Sequence, residues 1–293
     1  MRGRLARLRH NPPGARLNTF ADRISLFSQS LFALPLDTAI MATAEAGYPA
    51  IELACRDPHF GIDGARTDAG TVARGIRDAG LITSALSLFN SFTNEAALLH
   101  EVEQAATFIR LAPTFGARVV KLTPGPPASH DATETHWRLL DTAMRRLVPI
   151  ADDVGVLLAF ETHMRQLTDT LSGTRRLLDM APSETVGVTV DFSNFSFAGE
   201  DLRRVIPALG SRMVNAHVKN GSLGPGGAWL FNDLATGLTD YAEVLPMLRD
   251  VGYTGHLAIE CLGRDAASRP VETATRDLAI LRRYIDAAGE ASS

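Results

Sequence analysis

The stretch VGVLLAFETH, residues 154–163, places a glutamate and a histidine directly after a run of apolar residues. Short apolar runs of this kind are typical of strands that are covered on both faces of a parallel sheet. Carboxylates and imidazoles are costly to bury without partners, so polar residues at the end of such a strand need an explanation. Either the strand leaves the core at Glu161, or the fold places Glu161 and His163 at the rim of a site.

The same pattern recurs along the chain, where short apolar strands alternate with longer amphipathic segments. Apolar residues in the longer segments recur at three- and four-residue spacing, which predicts helices. The predicted strands cover residues 23–28, 50–55, 82–89, 117–122, 154–161, 186–191, 213–219 and 256–261. The predicted helices cover residues 36–47, 70–80, 94–116, 131–155, 169–180, 199–210, 240–252 and 271–289.

This alternation predicts an α/β fold, a single-domain (β/α)8 TIM barrel, because its length and element order match that fold. An open doubly wound sheet is the alternative, but no G-x-G-x-x-G turn follows the first predicted strand. We expect the barrel over residues 21–290 and a basic, disordered arm over residues 1–20, which lacks the apolar segment of a secretory signal. The longest stretch without periodicity, residues 220–237, suggests an active-site loop.

The composition excludes several classes of function. No apolar run reaches the ~18 residues that a membrane span requires. The formal net charge of −4 gives no electrostatic reason to expect a nucleic-acid partner. Two cysteines, Cys55 and Cys261, give no disulfide framework and favour a reducing compartment. We therefore expect a cytoplasmic protein with a small-molecule partner and no membrane or nucleic-acid partner, and a homo-oligomer is compatible with these features.

Four consecutive predicted strands, the fifth to the eighth, each end in a potential metal ligand. The carboxyl ends of barrel strands meet at one face, where the active site lies. Three carboxylates converging there repel one another, since each pair at ~4–5 Å costs roughly 3–4 kcal/mol at an effective dielectric of about 20. Singly, each carboxylate is better explained as a helix cap or a solvated strand end, but four ligands in series favour a metal site. The four residues are Glu161, Asp191, His217 and Glu260.

The chemistry of this set predicts one divalent metal ion. An oxygen-rich set with a single imidazole and no sulfur suits Mn²⁺ first, with Mg²⁺, Co²⁺, Fe²⁺ and Zn²⁺ as alternatives. The chain has only two lysines among its 29 basic residues, and both Lys121 and Lys219 fall at strand ends, where barrel active sites lie. The candidate substrate contacts are His163, Lys121, Lys219, Asn194, Glu52 and Trp229.

Three of these candidates have an equally plain structural explanation. His163 either orients a ligand or is a loop residue exposed to solvent. Glu52 ends the second strand, where it contacts substrate or serves as a buried hydrogen-bond partner. Trp229 either covers a ligand or packs the long loop over residues 220–237.

The pattern resembles the sugar phosphate isomerase/epimerase family of xylose isomerase-like TIM barrels. The resemblance runs from about residue 22 to about residue 285. By motif, the family's single-metal site falls on the same four residues as above. Many members have a histidine three residues after the strand-six aspartate, where this chain has Asn194. The motifs are AFETH (159–163), VTVDFSN (188–194), NAHVKN (215–220) and GHLAIECLG (255–263), with AGYPAIEL (46–53) as weaker support.

The resemblance implies a metal-dependent isomerase or epimerase that acts on a sugar, a keto-sugar or a related polyol. A base removes the proton alpha to a carbonyl, and the metal ion stabilises the enediolate that forms. Glu161 and Glu260 are expected as the general base and general acid. Lys121, Lys219 and His163 are expected to stabilise oxyanions or to hold hydroxyl groups.

Other functions share this barrel. The runner-up is a lyase that uses the same metal and bases, either a dehydratase of a keto-polyol or an enzyme that cleaves an oxidised glycoside. A remote alternative is a DNA repair enzyme similar to apurinic endonucleases, whose extra histidine ligands are missing here from SALSLFN (84–90) and VVKLTPG (119–125) and at Asn194. A non-catalytic sugar-binding barrel would have no use for paired glutamates around a metal ion.

Overall fold

The computed structural model describes residues 19–181 and 184–289, and most of the predicted arm over residues 1–20 lies outside these ranges. Within the two ranges, eight parallel strands close into a barrel surrounded by helices. This confirms the predicted (β/α)8 fold. The strands follow one another around the barrel in chain order, and the first pairs with the last.

Each predicted strand region contains one barrel strand, and most are buried throughout because helices cover the outside of the barrel. A short antiparallel hairpin, β8 and β9, follows the seventh barrel strand. The strands are β1 (Ile24–Phe27), β2 (Ala50–Ala54), β3 (Ile82–Ser87), β4 (Val119–Leu122), β5 (Leu157–Glu161), β6 (Val186–Asp191), β7 (Met213–Val218), β8 (Asn220–Leu223), β9 (Trp229–Asn232) and β10 (Leu257–Ile259).

The helices lie close to their predicted positions and differ mainly at their first turns. In the described part of the chain, none of them is long and apolar enough to cross a bilayer. Two short helices, α2 and α7, were not predicted. The helices are α1 (Leu36–Glu45), α2 (Ile62–Thr67), α3 (Ala69–Asp78), α4 (Leu98–Phe115), α5 (Glu134–Val154), α6 (Leu171–Met180), α7 (Phe192–Phe197), α8 (Leu202–Leu209), α9 (Tyr241–Asp250) and α10 (Pro270–Ala287).

The interior of the barrel is packed with small side chains. Ala85, Val119 and Ala159 form a buried cluster of their own, separate from the large apolar core between the strands and the helices. Side chains two residues apart on a strand point to the same face. Ala159 inside the barrel therefore places Glu161 on the inner side of β5, above this cluster. Polar side chains thus follow directly above the apolar interior of the barrel, at the carboxyl ends of the strands.

The stretch over residues 220–237, predicted as a loop, contains the hairpin of β8 and β9. The buried side chain of Asn220 fixes both ends of this segment. Its amide donates to the carbonyls of Leu234 at 3.0 Å and Thr239 at 2.8 Å. Its carbonyl oxygen accepts from the backbone N–H of Gly221 at 2.9 Å and of Thr239 at 3.1 Å. A single side chain thus closes the segment above β7.

Candidate active site

His217, at the inner face of β7, is fully buried and is held by a carboxylate from the opposite side of the barrel. Its Nε2 lies 2.7 Å from Oε1 of Glu52, on β2. Oε2 of Glu52 accepts from the side-chain amide of Asn215 at 2.9 Å. An ionised carboxylate only accepts hydrogen bonds, so the hydrogen of His217 lies on Nε2 when the ring is neutral. The Nδ1 atom is then a free lone-pair donor.

Nδ1 of His217 points toward the carboxylate of Glu161, which lies two strands away on β5. It lies 3.4 Å from Oε1 of Glu161 and makes no hydrogen bond within the described part of the chain. One ligand atom from each of Glu161, Asp191 and His217 lies within 4.8 Å of the other two. Three buried ligand atoms from three adjacent strands therefore converge at one point.

Asp191 caps a helix with one carboxylate oxygen and turns the other toward the site. Its Oδ1 accepts from the backbone N–H of Asn194 at 3.0 Å and so caps the first turn of α7. Its backbone N–H donates to the hydroxyl of Thr162 at 2.9 Å, which ties the end of β6 to the residue after β5. Oδ2 remains free of the cap and faces the site.

Both lysines are buried at the site and pair with its carboxylates. Nζ of Lys121 donates to Oε2 of Glu161 at 2.8 Å. Nζ of Lys219 lies 2.7 Å from Oδ2 of Asp191 and 2.9 Å from Oε2 of Glu260. Lys121 is 1% exposed and Lys219 3%, so water does not screen these pairs.

These contacts shift the protonation equilibria of the site. Burial alone would raise the pKa of Glu161, but the Lys121 ammonium and His217 outweigh it and hold the pKa well below its usual range. Burial lowers the pKa of His217, but the carboxylates of Glu52 and Glu161 outweigh it and raise the pKa to about 10. Burial alone would raise the pKa of Glu52, but His217 and Asn215 lower it below its ordinary value.

Glu260 follows β10 and lines a small cavity at the carboxyl end of the barrel. The side-chain amide of Gln29 donates to its Oε1 at 3.0 Å, and Lys219 holds its other oxygen. The cavity has a volume of about 140 Å³, which suits a small molecule rather than a polymer. Its lining includes Phe27, Gln29, Phe89, Lys121, Glu161, His163 and Glu260.

His163 lies at the cavity wall and has a defined tautomer. Its Nδ1 lies 2.9 Å from the carbonyl oxygen of Met164, and a carbonyl only accepts hydrogen bonds. The hydrogen of the neutral ring is therefore on Nδ1, which leaves Nε2 free to accept from a hydroxyl group in the cavity.

Three other predicted substrate contacts lie away from the cavity. Glu52 is fully buried behind His217. Asn194 is buried too, and its amide donates to the carbonyl of Thr162 at 2.9 Å. Trp229, on β9, stacks 4.5 Å from the guanidinium of Arg165. The structure thus brings Lys121, Lys219 and His163 to the cavity or to its carboxylates. It places Glu52, Asn194 and Trp229 outside the cavity lining.

Several residues of the cavity were missed from the sequence. Gln29 lies two residues beyond the end of β1, and the rule that found the other ligands, a polar residue at a strand's carboxyl end, would have found it. Phe27 and Phe89 form an aromatic wall, with ring centroids 6.1 Å apart. Apolar residues at a strand end look like core in the sequence, so no signal marked them.

The residues present fit a divalent metal ion. The orphaned Nδ1 of His217 faces Glu161, and its other nitrogen is oriented by Glu52, the partner that metal-binding imidazoles usually have. The charges agree as well. With a neutral imidazole, the net charge of the site is about −2, and a divalent cation brings it to about zero. This sum counts the carboxylates of Glu52, Glu161, Asp191 and Glu260 and the ammonium groups of Lys121 and Lys219. Glu161, Asp191 and His217 would hold the ion, with Glu260 nearby.

Comparison with known proteins gives the family. The family model described as "Xylose isomerase-like TIM barrel" matches residues 40–284, which is most of the chain. The chain belongs to the xylose isomerase-like TIM barrel family. The resemblance seen in the sequence is thereby confirmed. The xylose isomerase-like barrel also explains why the candidate ligands follow consecutive strands, since each strand of such a barrel ends at the same face.

Individual relatives in the family differ in the reactions that their names give. An inosose dehydratase of Clostridium perfringens is 23% identical over 177 residues, covering 56% of this chain and 58% of that protein. The chain thus matches little more than half the length of this relative. The structure of an L-ribulose 3-epimerase superposes with a TM-score of 0.74 at 21% identity, covering 91% of this chain and 95% of that one.

A third comparison concerns a metal. The crystal structure of IolI protein with a binding zinc atom superposes with a TM-score of 0.74 at 17% identity, covering 89% of this chain and 99% of that chain. At these identities the likeness of the two structures establishes the xylose isomerase-like fold and nothing about the reaction.

Proposed function

We propose that this chain is a divalent-metal-dependent isomerase or epimerase of a sugar or keto-polyol, which removes a proton alpha to a carbonyl. One observation carries the proposal. Glu161 and Glu260 line the same small cavity, and each is paired with a different buried ammonium group. Strands β5 and β10 are separated in the barrel by β6 and β7, so the two carboxylates reach the cavity from different sides. Such a pair provides a base and an acid for one carbon atom.

The roles of the chain's own residues follow from their contacts. Glu161 is ionised, because its pKa is held well below its usual range by Lys121 and His217 against the effect of burial, and it is the candidate base. Lys121 fixes one oxygen of that carboxylate. Gln29 and Lys219 orient Glu260, the candidate acid. Nε2 of His163 is free to hold a substrate hydroxyl. When bound, the metal ion supplies positive charge that stabilises the negative charge developing on substrate oxygens.

Further features accompany this proposal. We expect Mn²⁺ as the metal, because the ligand set is rich in oxygen, and the zinc-bound neighbour makes Zn²⁺ the first alternative. The substrate is a small carbohydrate or polyol, in keeping with the size of the cavity. The two cysteines are free and buried, which supports the cytoplasm as the compartment.

A dehydratase is the second candidate, and a specific observation favours it. Inosose dehydratases are the relatives found by sequence, whereas the epimerase is similar only at the level of the fold. Both reactions begin with removal of a proton alpha to a carbonyl. In a dehydratase, the carbanion then expels a hydroxyl group from the next carbon, and the acid protonates that hydroxyl as it leaves.

Proton exchange tests the proposal and separates the two candidates. The protein is incubated with Mn²⁺ in D₂O and a panel of ketoses, keto-inositols and 3-keto-glycosides, and NMR follows the C–H signals alpha to each carbonyl. Metal-dependent deuterium incorporation into a product of unchanged skeleton is expected. Loss of water would assign the chain to the dehydratases. No exchange with any substrate, in protein shown to contain metal, would refute proton abstraction.

Glu161→Gln and Glu260→Gln are each expected to lower the exchange rate by about 10²–10⁴-fold, because each removes one group of the acid–base pair. The same assay measures this, with circular dichroism to show that the fold is kept. Glu243→Gln is the control, since Glu243 lies in an exposed ion pair with Arg203. Full activity in either site variant would contradict the assigned roles.

A further inference from the structure

Lys219 occupies an unusual position among the predicted metal ligands. Its ammonium bridges Oδ2 of Asp191 at 2.7 Å and Oε2 of Glu260 at 2.9 Å. The ring of Phe231, on the hairpin, lies 5.6 Å from Nζ. Within the described residues, the group of ligand atoms close enough to share a metal ion includes Asp191 but lacks Glu260. Glu260 is instead engaged by Lys219 and Gln29.

Oδ2 is the oxygen of Asp191 that is better placed for a metal ion, because Oδ1 already caps a helix. Oδ1 accepts from the backbone N–H of Asn194 at 3.0 Å, and this bond caps α7. Oδ2 is the remaining oxygen, and the Lys219 ammonium is in contact with it. A divalent cation on the same oxygen would lie within a few ångströms of this ammonium, where two positive charges repel strongly because the site is buried.

We propose that Lys219 competes with the divalent metal ion for Asp191, and that its ammonium moves off Asp191 when the metal binds. This inference rests on the metal site of the proposed function. Lys219 keeps its charge in this exchange and keeps Glu260 as a partner. The side chain thus serves as an internal counter-ion that balances the negative charge of the carboxylates before the metal ion binds. It thereby weakens the affinity of the site for the metal ion.

Lys121 provides a matched comparison within the same site. It is as deeply buried as Lys219, and it also pairs with a predicted ligand, Glu161. However, it contacts only Oε2 of that residue, while Oε1 faces Nδ1 of His217 at 3.4 Å. A metal ion can therefore use Oε1 of Glu161 while Lys121 stays in place. The two lysines are therefore similar in burial and charge, but only Lys219 occupies an oxygen atom that the metal ion would use.

Metal titration tests the competition. Mn²⁺ binding is measured by electron paramagnetic resonance of the free ion for wild-type protein, Lys219→Met, Lys219→Arg and Lys121→Met. Lys219→Met is expected to bind Mn²⁺ at least about tenfold more tightly than wild type. Lys219→Arg keeps the charge and is expected to stay near wild type, and Lys121→Met is expected to gain much less than Lys219→Met.

The outcomes separate this inference from the proposed function. If wild-type protein binds Mn²⁺ and Lys219→Met binds it no more tightly than Lys121→Met, the competition is refuted and the metal site stands. If none of the proteins binds Mn²⁺, the competition and the metal requirement fall together.

A second measurement is made on the wild-type chain, and a variant is used only to assign its signals. Because the chain contains only two lysines, labelling with [ζ-¹⁵N]lysine gives two side-chain signals. Lys219→Arg identifies them by the loss of one. Adding Mg²⁺, which is diamagnetic, is expected to shift the Lys219 signal more than the Lys121 signal. A shift of the Lys121 signal alone, at saturating Mg²⁺, would overturn the proposal.

Discussion

His217 shows how one residue can be prepared for metal binding by its contacts. Glu52 accepts a hydrogen bond from Nε2 and fixes the ring, while Nδ1 is turned toward Glu161 without a hydrogen-bond partner among the described residues. Partners of this kind hold the tautomer and the orientation of a ligand, and their loss typically weakens metal affinity by about 10–100-fold. At this scale, Glu52 acts through His217 and not on the substrate.

Glu52→Gln tests this assignment. The amide cannot replace the carboxylate as acceptor for both His217 and Asn215, so the ring loses its fixed tautomer. We expect a Kd for Mn²⁺ about 10–100-fold higher, measured by the same resonance titration. A contact with substrate would instead raise KM and leave the metal Kd unchanged, and that result would refute the positioning role. Glu243→Gln, exposed and remote, is the control.

The hairpin of β8 and β9 is closed by the hydrogen bonds of a single side chain. It is joined to the barrel at Asn220, whose amide group makes the four hydrogen bonds that close residues 220–239. Phe231 of the hairpin lies beside the Lys219 ammonium, so the hairpin also covers part of the site. The position of this element therefore affects both stability and the environment of Lys219.

Asn220→Ala is expected to lower the free energy of unfolding by about 2–4 kcal/mol, because it leaves buried backbone groups without partners. Amide hydrogen exchange over residues 220–239 is expected to accelerate more than exchange in the barrel strands. Chemical denaturation and exchange mass spectrometry measure the two effects. Asn232→Ala is the control in the same hairpin, because among the described residues the side chain of Asn232 makes only one long hydrogen bond, 3.4 Å to Ser222. Equal losses in both variants would contradict the role of Asn220.

At the scale of the whole molecule, closure of the barrel leaves His256 only partly exposed and places it near the guanidinium of Arg23. His256 precedes β10, and its Nε2 has no hydrogen-bond partner in the described part of the chain. Burial, followed by the nearby guanidinium of Arg23, lowers the pKa of His256 from its ordinary 6.5 to about 4. The unfolded chain therefore binds a proton below pH 6.5 that the folded protein does not take up until about pH 4.

The fold should consequently lose stability as the pH falls from 6.5 to 4, by up to about 3 kcal/mol from this residue. Above pH 6.5 the imidazole is neutral in both states and contributes nothing. His256→Gln should reduce this acid-dependent loss, which urea denaturation at pH 7.5 and pH 4.5 would measure. An unchanged difference between the two pH values in the variant would show that other groups carry the acid sensitivity.

The sequence by itself determined the barrel and the positions of its candidate ligands. Strand and helix periodicities are local, and a closed parallel barrel brings the carboxyl end of every strand to one face. The sequence alone therefore predicted that Glu161, Asp191 and His217 lie close together. Only the tertiary structure decided which of these side chains contact one another. Glu52 and His217 are 165 residues apart, and their contact follows from the curvature of the barrel, which no local pattern encodes.

The same reason separates the two lysines. Both occupy strand ends in the sequence and look equivalent there. Tertiary packing places Lys121 on one oxygen of Glu161 and Lys219 between Asp191 and Glu260. The hairpin was missed for a related reason, since Asn220 bonds to residues up to 19 positions away. Charge pairing across strands depends on side-chain reach in three dimensions, and only the folded chain sets it.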